Sequence, residues 1–141
     1  AGVGIATATA EAGKNIFAQN CSMCHQVKSE GGLVGPQLDG IGNWGIKALT
    51  EKILDPNRNI SQAFRTYNIT LQNGKLMSGL YRRTEGEVIV YADPSGKEFS
   101  VAKNDIKENK LSQYTLMPDQ FRNTIKEEDF YALMKYLLSV K

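Results

Sequence analysis

Apolar residues recur at helical spacing in two segments of the N-terminal half. The first segment covers residues 10–20, where one face carries Gly13, Ile16, Phe17 and Asn20. The second covers residues 46–54 and places three apolar residues on one side, Ile46, Leu49 and Ile53. Asp55-Pro56 should end this second helix, because the residue before proline avoids the α conformation and proline cannot continue the hydrogen bonds. We therefore predict two helices in this half of the chain.

The C-terminal segment has the clearest helical pattern. Its apolar stripe runs to the end of the chain through Phe130, Leu133, Met134, Leu137 and Val140. The preceding Thr124-Ile125-Lys126-Glu127 has the form of a capping box, in which Thr124 and Glu127 accept hydrogen bonds from amides at the start of the helix. A third helix capped by Thr124 is predicted here.

Between residues 66 and 106 the period of the pattern changes to two. Apolar Tyr67, Ile69 and Leu71 alternate with polar residues, and Asn73-Gly74 follows as a typical type I′ hairpin turn, which needs positive φ twice. Further strands are predicted over residues 76–82, 87–92 and 98–102, with Asp93-Pro94-Ser95-Gly96 as a turn. The predicted fold class is therefore mainly α, with a small antiparallel β-meander inserted between the second helix and the Met117-Pro118 loop.

Length and composition agree with one globular domain over residues 1–141. Hydrophobic residues make up 41% of the 141 residues and charged residues 23%, and no apolar run approaches the ~20 residues of a membrane span. Residues 1–9 are rich in small residues and are predicted to form a flexible tail rather than an intact signal peptide. The net charge of +2 gives no argument for nucleic acid or an anionic membrane as a partner.

The candidate chemistry is concentrated in Cys21-Ser22-Met23-Cys24-His25, which holds both cysteines and the single histidine. This is the C-x-x-C-H form of c-type haem attachment, in which two thiols add to the haem vinyl groups and the histidine ligates the iron. A thioredoxin-like site would require a βαβ context, whereas a helical pattern precedes Cys21. A zinc site would require four ligands, and no second cysteine–histidine group exists to complete it.

With these residues the chain resembles the class I cytochromes c. The resemblance implies that Gly35-Pro36-Gln37-Leu38 forms the loop beside the haem and that the Pro36 carbonyl accepts a hydrogen bond from His25. It also implies that the terminal helices cross through Gly13, Phe17, Leu133 and Tyr136. In similar proteins an indole N–H reaches a haem propionate, which makes Trp44 a candidate; a half-buried core tryptophan is the alternative.

Met117-Pro118 resembles the segment that supplies the sixth iron ligand of the family. A thioether favours reduced iron, and Pro118 keeps Met117 extended rather than helical. Met77, in a predicted strand, is the rival candidate. Met134 is expected in the core, and Met23 lies inside the attachment motif.

The resemblance covers both ends of the chain, residues 10–54 and 116–141. In between, the run from Ile53 to Ile60 followed by strands is more similar to the planctomycete/Verrucomicrobium-type haem-binding domain. The resemblance implies one covalent haem c with its iron, in a periplasmic or exported bacterial protein.

The function implied is single-electron transfer rather than enzyme activity. The partners would be a dehydrogenase or reductase as donor and an oxidase or another cytochrome as acceptor. A peroxidase-like haem enzyme or ligand sensor with an open sixth position is the alternative. The inserted strands could serve docking or self-association, could cover one edge of the haem, or could be a structural elaboration only.

Overall fold

The computed structural model describes residues 8–141, which divide into two compact units. A helical unit contains residues 8–56 together with Asp119–Lys141, and a sheet unit contains Asn57–Pro118. Most of the tail predicted over residues 1–9 lies outside the described residues. Within residues 8–141, none of the helices combines the length and the apolar character needed to cross a membrane.

The helical unit has four helices: α1 (Ala10–Asn20), α2 (Ile46–Leu54), α3 (Phe121–Thr124) and α4 (Glu127–Ser139). A short hairpin of β1 (Gln26–Val27) and β2 (Glu30–Gly31) and a 3-10 turn (Ile41–Trp44) separate α1 from α2. The predicted bounds of α1 and α2 are confirmed. Of the three apolar residues that were predicted to share one side of α2, Leu49 and Ile53 are buried and Ile46 is exposed.

The first and last helices cross at Gly13. A Cβ atom at this position would collide with the Ala132 carbonyl group and would lie 2.7 Å from the Tyr136 Cβ. Next to the crossing, the rings of Phe17 and Tyr136 lie 5.7 Å apart, and Leu133 is fully buried. The helix pair implied by the resemblance is therefore present, and the missing side chain of Gly13 is what allows the close approach.

The two crossing helices begin differently. The Thr9 hydroxyl caps α1 by accepting a hydrogen bond from the Ala12 amide at 3.1 Å. The capping box predicted for α4 is wrong, because Ile125 and Lys126 are extended and Thr124 belongs to the separate helix α3. Helix α4 starts only at Glu127, without a side-chain cap at Lys126.

The sheet unit contains five antiparallel strands: β3 (Arg65–Leu71), β4 (Leu76–Glu85), β5 (Val88–Ala92), β6 (Glu98–Ala102) and β7 (Ile106–Thr115). Their order is β6-β5-β4-β3-β7, so the first four form the predicted meander and β7 returns to pair with β3. The prediction of a mainly α fold is wrong, because among residues 8–141 only 35% are helical, with the 3-10 turns included, and 31% are in strands. The error comes from β7, which lies beyond the predicted insertion of residues 66–106, and from the length of β4.

The β3–β4 hairpin has three residues between the hydrogen-bonded pair Leu71 and Lys75, instead of the predicted type I′ turn. Gly74 has a φ of +87°, while Asn73 does not have positive φ. The Gly74 amide donates to the Leu71 carbonyl, and the Leu71 amide donates to the Lys75 carbonyl, both at 2.9 Å. This is the pattern of a turn followed by one left-handed residue, which glycine adopts without a steric cost.

The sheet curls around a core of its own. Ile69, Tyr91 and Val101 are buried at its centre, and Met77 packs against them. The Tyr91 ring stacks on Phe99 at 5.6 Å. Asn109 Nδ2, on β7, donates to the Tyr91 hydroxyl on β5 at 3.0 Å, although these strands are not neighbours in the sheet. This hydrogen bond therefore crosses the concave face.

Candidate haem attachment site

The C-x-x-C-H motif forms a tight turn at the end of α1. The Cys21 amide donates to the Phe17 carbonyl at 2.8 Å, and the Cys21 carbonyl accepts from the Cys24 and His25 amides at 3.1 and 3.0 Å. Both cysteines are partly buried, and they are not joined in a disulfide. One turn of backbone thus carries two thiols and the imidazole.

The His25 ring is held by the loop that follows the motif. His25 Nδ1 lies 2.7 Å from the Pro36 carbonyl oxygen. Because a carbonyl can only accept, Nδ1 must be the donor, and in the neutral ring Nε2 keeps its lone pair. Gly35 lies against the ring, since a Cβ atom there would be 2.8 Å from His25 Cε1. The hydrogen bond expected from the resemblance is present and fixes the tautomer that a metal requires at Nε2.

Backbone hydrogen bonds lay this loop along the motif. The Gly32 amide donates to the Ser22 carbonyl at 2.8 Å, and the Gly35 amide donates to the Cys24 carbonyl at 2.7 Å. The Leu38 amide donates to the Gln26 carbonyl at 2.9 Å. The position of the Pro36 carbonyl is therefore set by contacts on both of its sides.

Sequence reasoning missed Asp39, which joins the loop to the β1–β2 hairpin. Asp39 Oδ1 accepts a hydrogen bond from the Lys28 amide at 2.6 Å. Lys28 and Ser29 form the turn of this hairpin with φ of 50° and 68°. Neither lysine nor serine is typical of such a turn, so the sequence did not indicate this hairpin. The only sequence signal near the contact was Asp39-Gly40, a pair that is typical of turns.

Burial keeps the reactive groups neutral. It raises the pKa of the Cys21 thiol to about 12, with a smaller effect from Cys24. Burial also lowers the pKa of His25, and the hydrogen bond to Pro36 opposes that effect in part. Neutral imidazole is the form that binds metals, and a pair of thiols beside it is what thioether attachment of haem requires. The donor set therefore fits covalently attached haem, whose iron, when bound, supplies the one-electron redox chemistry.

The other predicted site residues differ in their surroundings. Leu38 is half-buried, and Trp44 is 58% exposed at the end of the 3-10 turn, which argues against a core role for this tryptophan. Met117 lies in the sheet unit, partly buried, in the segment between β7 and α3. Its rival Met77 belongs to the core of the sheet.

The helical unit also exposes large apolar side chains close in sequence to the motif, Met23, Leu33, Trp44 and Ile46. Other apolar residues of the same unit are fully buried, such as Leu133 and Met134. Apolar side chains that are exposed one by one are normal in a folded protein, whereas a contiguous apolar patch usually marks a binding surface. An apolar macrocycle is a ligand that such side chains could cover.

Comparison with known proteins agrees with this chemistry. A family model described as cytochrome c matches residues 10–88, which is more than half of the chain and includes the motif and the Pro36 loop. The match ends before Met117 and α4. No curated protein matches the chain. Cytochromes c bind haem c covalently through its vinyl groups, exchange electrons with redox partners and are usually electron carriers rather than enzymes. The chain belongs to the cytochrome c family.

Proposed function

We propose that this chain carries single electrons through one haem, held by Cys21 and Cys24 and ligated by His25 and Met117. The observation that carries the proposal is the hydrogen bond from His25 Nδ1 to the Pro36 carbonyl. It leaves Nε2 available on a turn that also presents both thiols. This is the arrangement that covalent attachment and proximal ligation require.

His25 and its loop have two tasks in this function. The hydrogen bond to Pro36 keeps the imidazole in one orientation and makes it a stronger electron donor. Covalent attachment through the thiols prevents loss of the haem, so part of its edge can remain accessible to partners. An electron carrier needs both properties, because docking must be brief and the geometry must stay the same in both redox states.

Met117 is the best candidate for the sixth ligand. It precedes proline in a segment without regular secondary structure, and its side chain is partly buried. Met77 packs in the sheet core and Met134 in the core of the helical unit. A thioether in the sixth position would raise the reduction potential relative to a second nitrogen ligand.

The partners and location follow from the same proposal. Donors would be dehydrogenases or reductases, and acceptors would be oxidases or other cytochromes. Because bacteria attach haem c outside the cytoplasm, we place the protein in the periplasm or among exported proteins. Within the family, we assign the chain to the planctomycete/Verrucomicrobium-type domains, on the run from Ile53 to Ile60 followed by strands.

A role of the sheet unit in self-association is tested separately. The mass of the holoprotein in solution, measured over a range of concentrations, should show a dimer if the sheet serves this purpose. A monomer at every concentration would leave the sheet as a docking surface for other proteins or a structural elaboration.

The test of the proposed ligation is the absorption spectrum of the oxidised holoprotein. A weak far-red band marks the bond between ferric haem and methionine. Met117→Ala should remove the band, whereas the control Met77→Leu, which keeps the volume of a core side chain, should retain it. A band that survives Met117→Ala and disappears in Met77→Leu would transfer the role to Met77. A wild type without the band that binds carbon monoxide rapidly would favour the haem enzyme or sensor.

A further inference from the structure

The turn of the β1–β2 hairpin is held in an unfavourable backbone conformation. Lys28 and Ser29 both have left-handed φ, at 50° and 68°. Residues with a Cβ atom avoid this region, and two in succession persist only where neighbouring groups hold them. The carboxylate of Asp39 supplies such a contact by accepting from the Lys28 amide at 2.6 Å. A charged acceptor makes this hydrogen bond stronger than one between neutral groups.

The same contact limits the movement of the loop that carries Pro36. Before Pro36 in sequence, the Gly35 amide donates to the Cys24 carbonyl. After Pro36, the Leu38 amide donates to the Gln26 carbonyl, and the Asp39 carboxylate accepts from the Lys28 amide. The Pro36 carbonyl therefore lies between one anchor at the motif and two anchors at the hairpin. Asp39 is the only one of these anchors that uses a side chain, and so the only one that a substitution can remove directly.

We infer that Asp39 is a positioning residue for His25. By holding the loop against the hairpin, its carboxylate keeps the Pro36 carbonyl in line with His25 Nδ1, which makes the imidazole a stronger donor. A stronger donor favours ferric iron, so Asp39 lowers the reduction potential. The inference rests on the part of the proposed function that makes His25 the iron ligand, and it is independent of the identity of the sixth ligand.

The experiment compares four holoproteins: wild type, Asp39→Ala, Asp39→Asn and the control Asp55→Ala. Asparagine removes the charge but keeps an oxygen that accepts from the Lys28 amide. Asp55→Ala removes a carboxylate from an exposed residue of the same unit. The two measurements are the reduction potential and the rate at which the His25 Nδ1 proton exchanges with solvent, followed by NMR.

Asp39→Ala should raise the potential and accelerate the exchange of the Nδ1 proton about fivefold or more, as expected from the loss of one hydrogen bond. Asp39→Asn should shift less than Asp39→Ala, because its neutral oxygen still accepts from the Lys28 amide but more weakly than a carboxylate, and Asp55→Ala should behave like the wild type. An unchanged Asp39→Ala protein would overturn the inference. So would an Asp39→Asn protein that shifts as much as Asp39→Ala, because the charge rather than the contact would then be responsible.

A second variant covers the case in which Asp39→Ala yields no stable holoprotein. Adding Ser29→Gly removes the steric cost of left-handed φ at that residue, so Asp39→Ala/Ser29→Gly should fold while still lacking the contact to the Lys28 amide. It should therefore show the raised potential and the faster exchange of the Nδ1 proton relative to Ser29→Gly alone, and a double variant that matches Ser29→Gly in both would overturn the inference. The absence of any haem-shifted His25 signal from the wild type would instead refute the proposed function.

Discussion

The helical unit and the sheet unit are each stabilised internally in a different way. In the helical unit, α1 and α4 come from opposite ends of the chain and meet where Gly13 lies against the Ala132 carbonyl. In the sheet unit, most strands pair with a neighbour in sequence through ladders of backbone hydrogen bonds. The stability of the first unit therefore depends on one close backbone approach, whereas the second distributes its stability over many contacts. One substitution at the helix crossing should cost more than one at the centre of the sheet.

Gly13→Val should have the largest effect. The added Cβ atom would collide with a backbone carbonyl that cannot rotate away, so α1 and α4 must separate. We expect a loss of about 3 kcal/mol in the free energy of unfolding, at the upper end for overpacking. The measurement is chemical denaturation of the holoprotein, followed by helical circular dichroism.

The matched control is Lys14→Val, which puts the same side chain at the next, exposed position of α1. It should cost only about 0.5 kcal/mol, because valine has a lower helix propensity than lysine. Equal losses for the two variants would show that the crossing contributes nothing beyond propensity, and the contrast between the units would fail.

Tyr91→Phe should have a smaller effect on the sheet unit. It removes the hydroxyl that accepts from Asn109 Nδ2 across the concave face, while the ring can keep its stacking on Phe99. The expected loss is about 1 kcal/mol, the usual value of one hydrogen bond. Tyr114→Phe, at a tyrosine that is 64% exposed on β7, should leave the free energy of unfolding unchanged. If Tyr91→Phe loses more free energy of unfolding than Gly13→Val, the proposed order of the two units is reversed.

The difference between the units also explains which elements could be predicted. The helices α1 and α2 and the strands β3–β6 have clear periods and local turns, which a sequence displays directly. Strand β7 has polar residues on both faces, so no alternation of apolar and polar residues marks it, and its pairing with β3 is irregular opposite Thr70 and Leu71. Its partner β3 lies about forty residues earlier, so its pairing had no local signal. The prediction of the capping box failed because Thr124 is the last residue of α3 and therefore does not precede α4 directly.

The haem motif and the Pro36 loop could be recognised because haem attachment demands fixed spacing between Cys21, Cys24 and His25. Asp39 could not, because it accepts a hydrogen bond from a backbone amide, and every residue except proline can supply such a donor. The turn at Lys28 and Ser29 could not be predicted for a related reason, since the carboxylate that contacts it belongs to a separate segment of the chain. Sequence patterns thus reveal the groups that do chemistry more readily than the contacts that place them.

The smallest expected effect concerns acid stability of the sheet unit. Asp93 lies in the β5–β6 turn and accepts hydrogen bonds from the Ser95 hydroxyl at 2.5 Å and from the Ser95 and Lys97 amides at 2.9 and 3.1 Å. These contacts, with the Ser95 hydroxyl first, lower the pKa of Asp93 from its ordinary value of 3.8. A carboxyl group whose pKa is lower in the folded state contributes stability above its unfolded pKa and loses it as the pH falls through the folded pKa. The sheet should therefore lose stability as the pH falls below 3.8.

Asp93→Asn keeps an acceptor oxygen for the turn but cannot titrate, so it should weaken this acid dependence. The dependence should not vanish, because the hydrogen bond from Arg83 also lowers the pKa of Glu98. Urea denaturation at several acid pH values, followed by tyrosine fluorescence, would measure it, with Asp105→Asn, an exposed aspartate of the same unit, as the control. If Asp105→Asn weakens the acid dependence as much as Asp93→Asn does, the general loss of negative charge is responsible. The hydrogen bonds of the turn would then contribute nothing specific to the acid stability of the sheet.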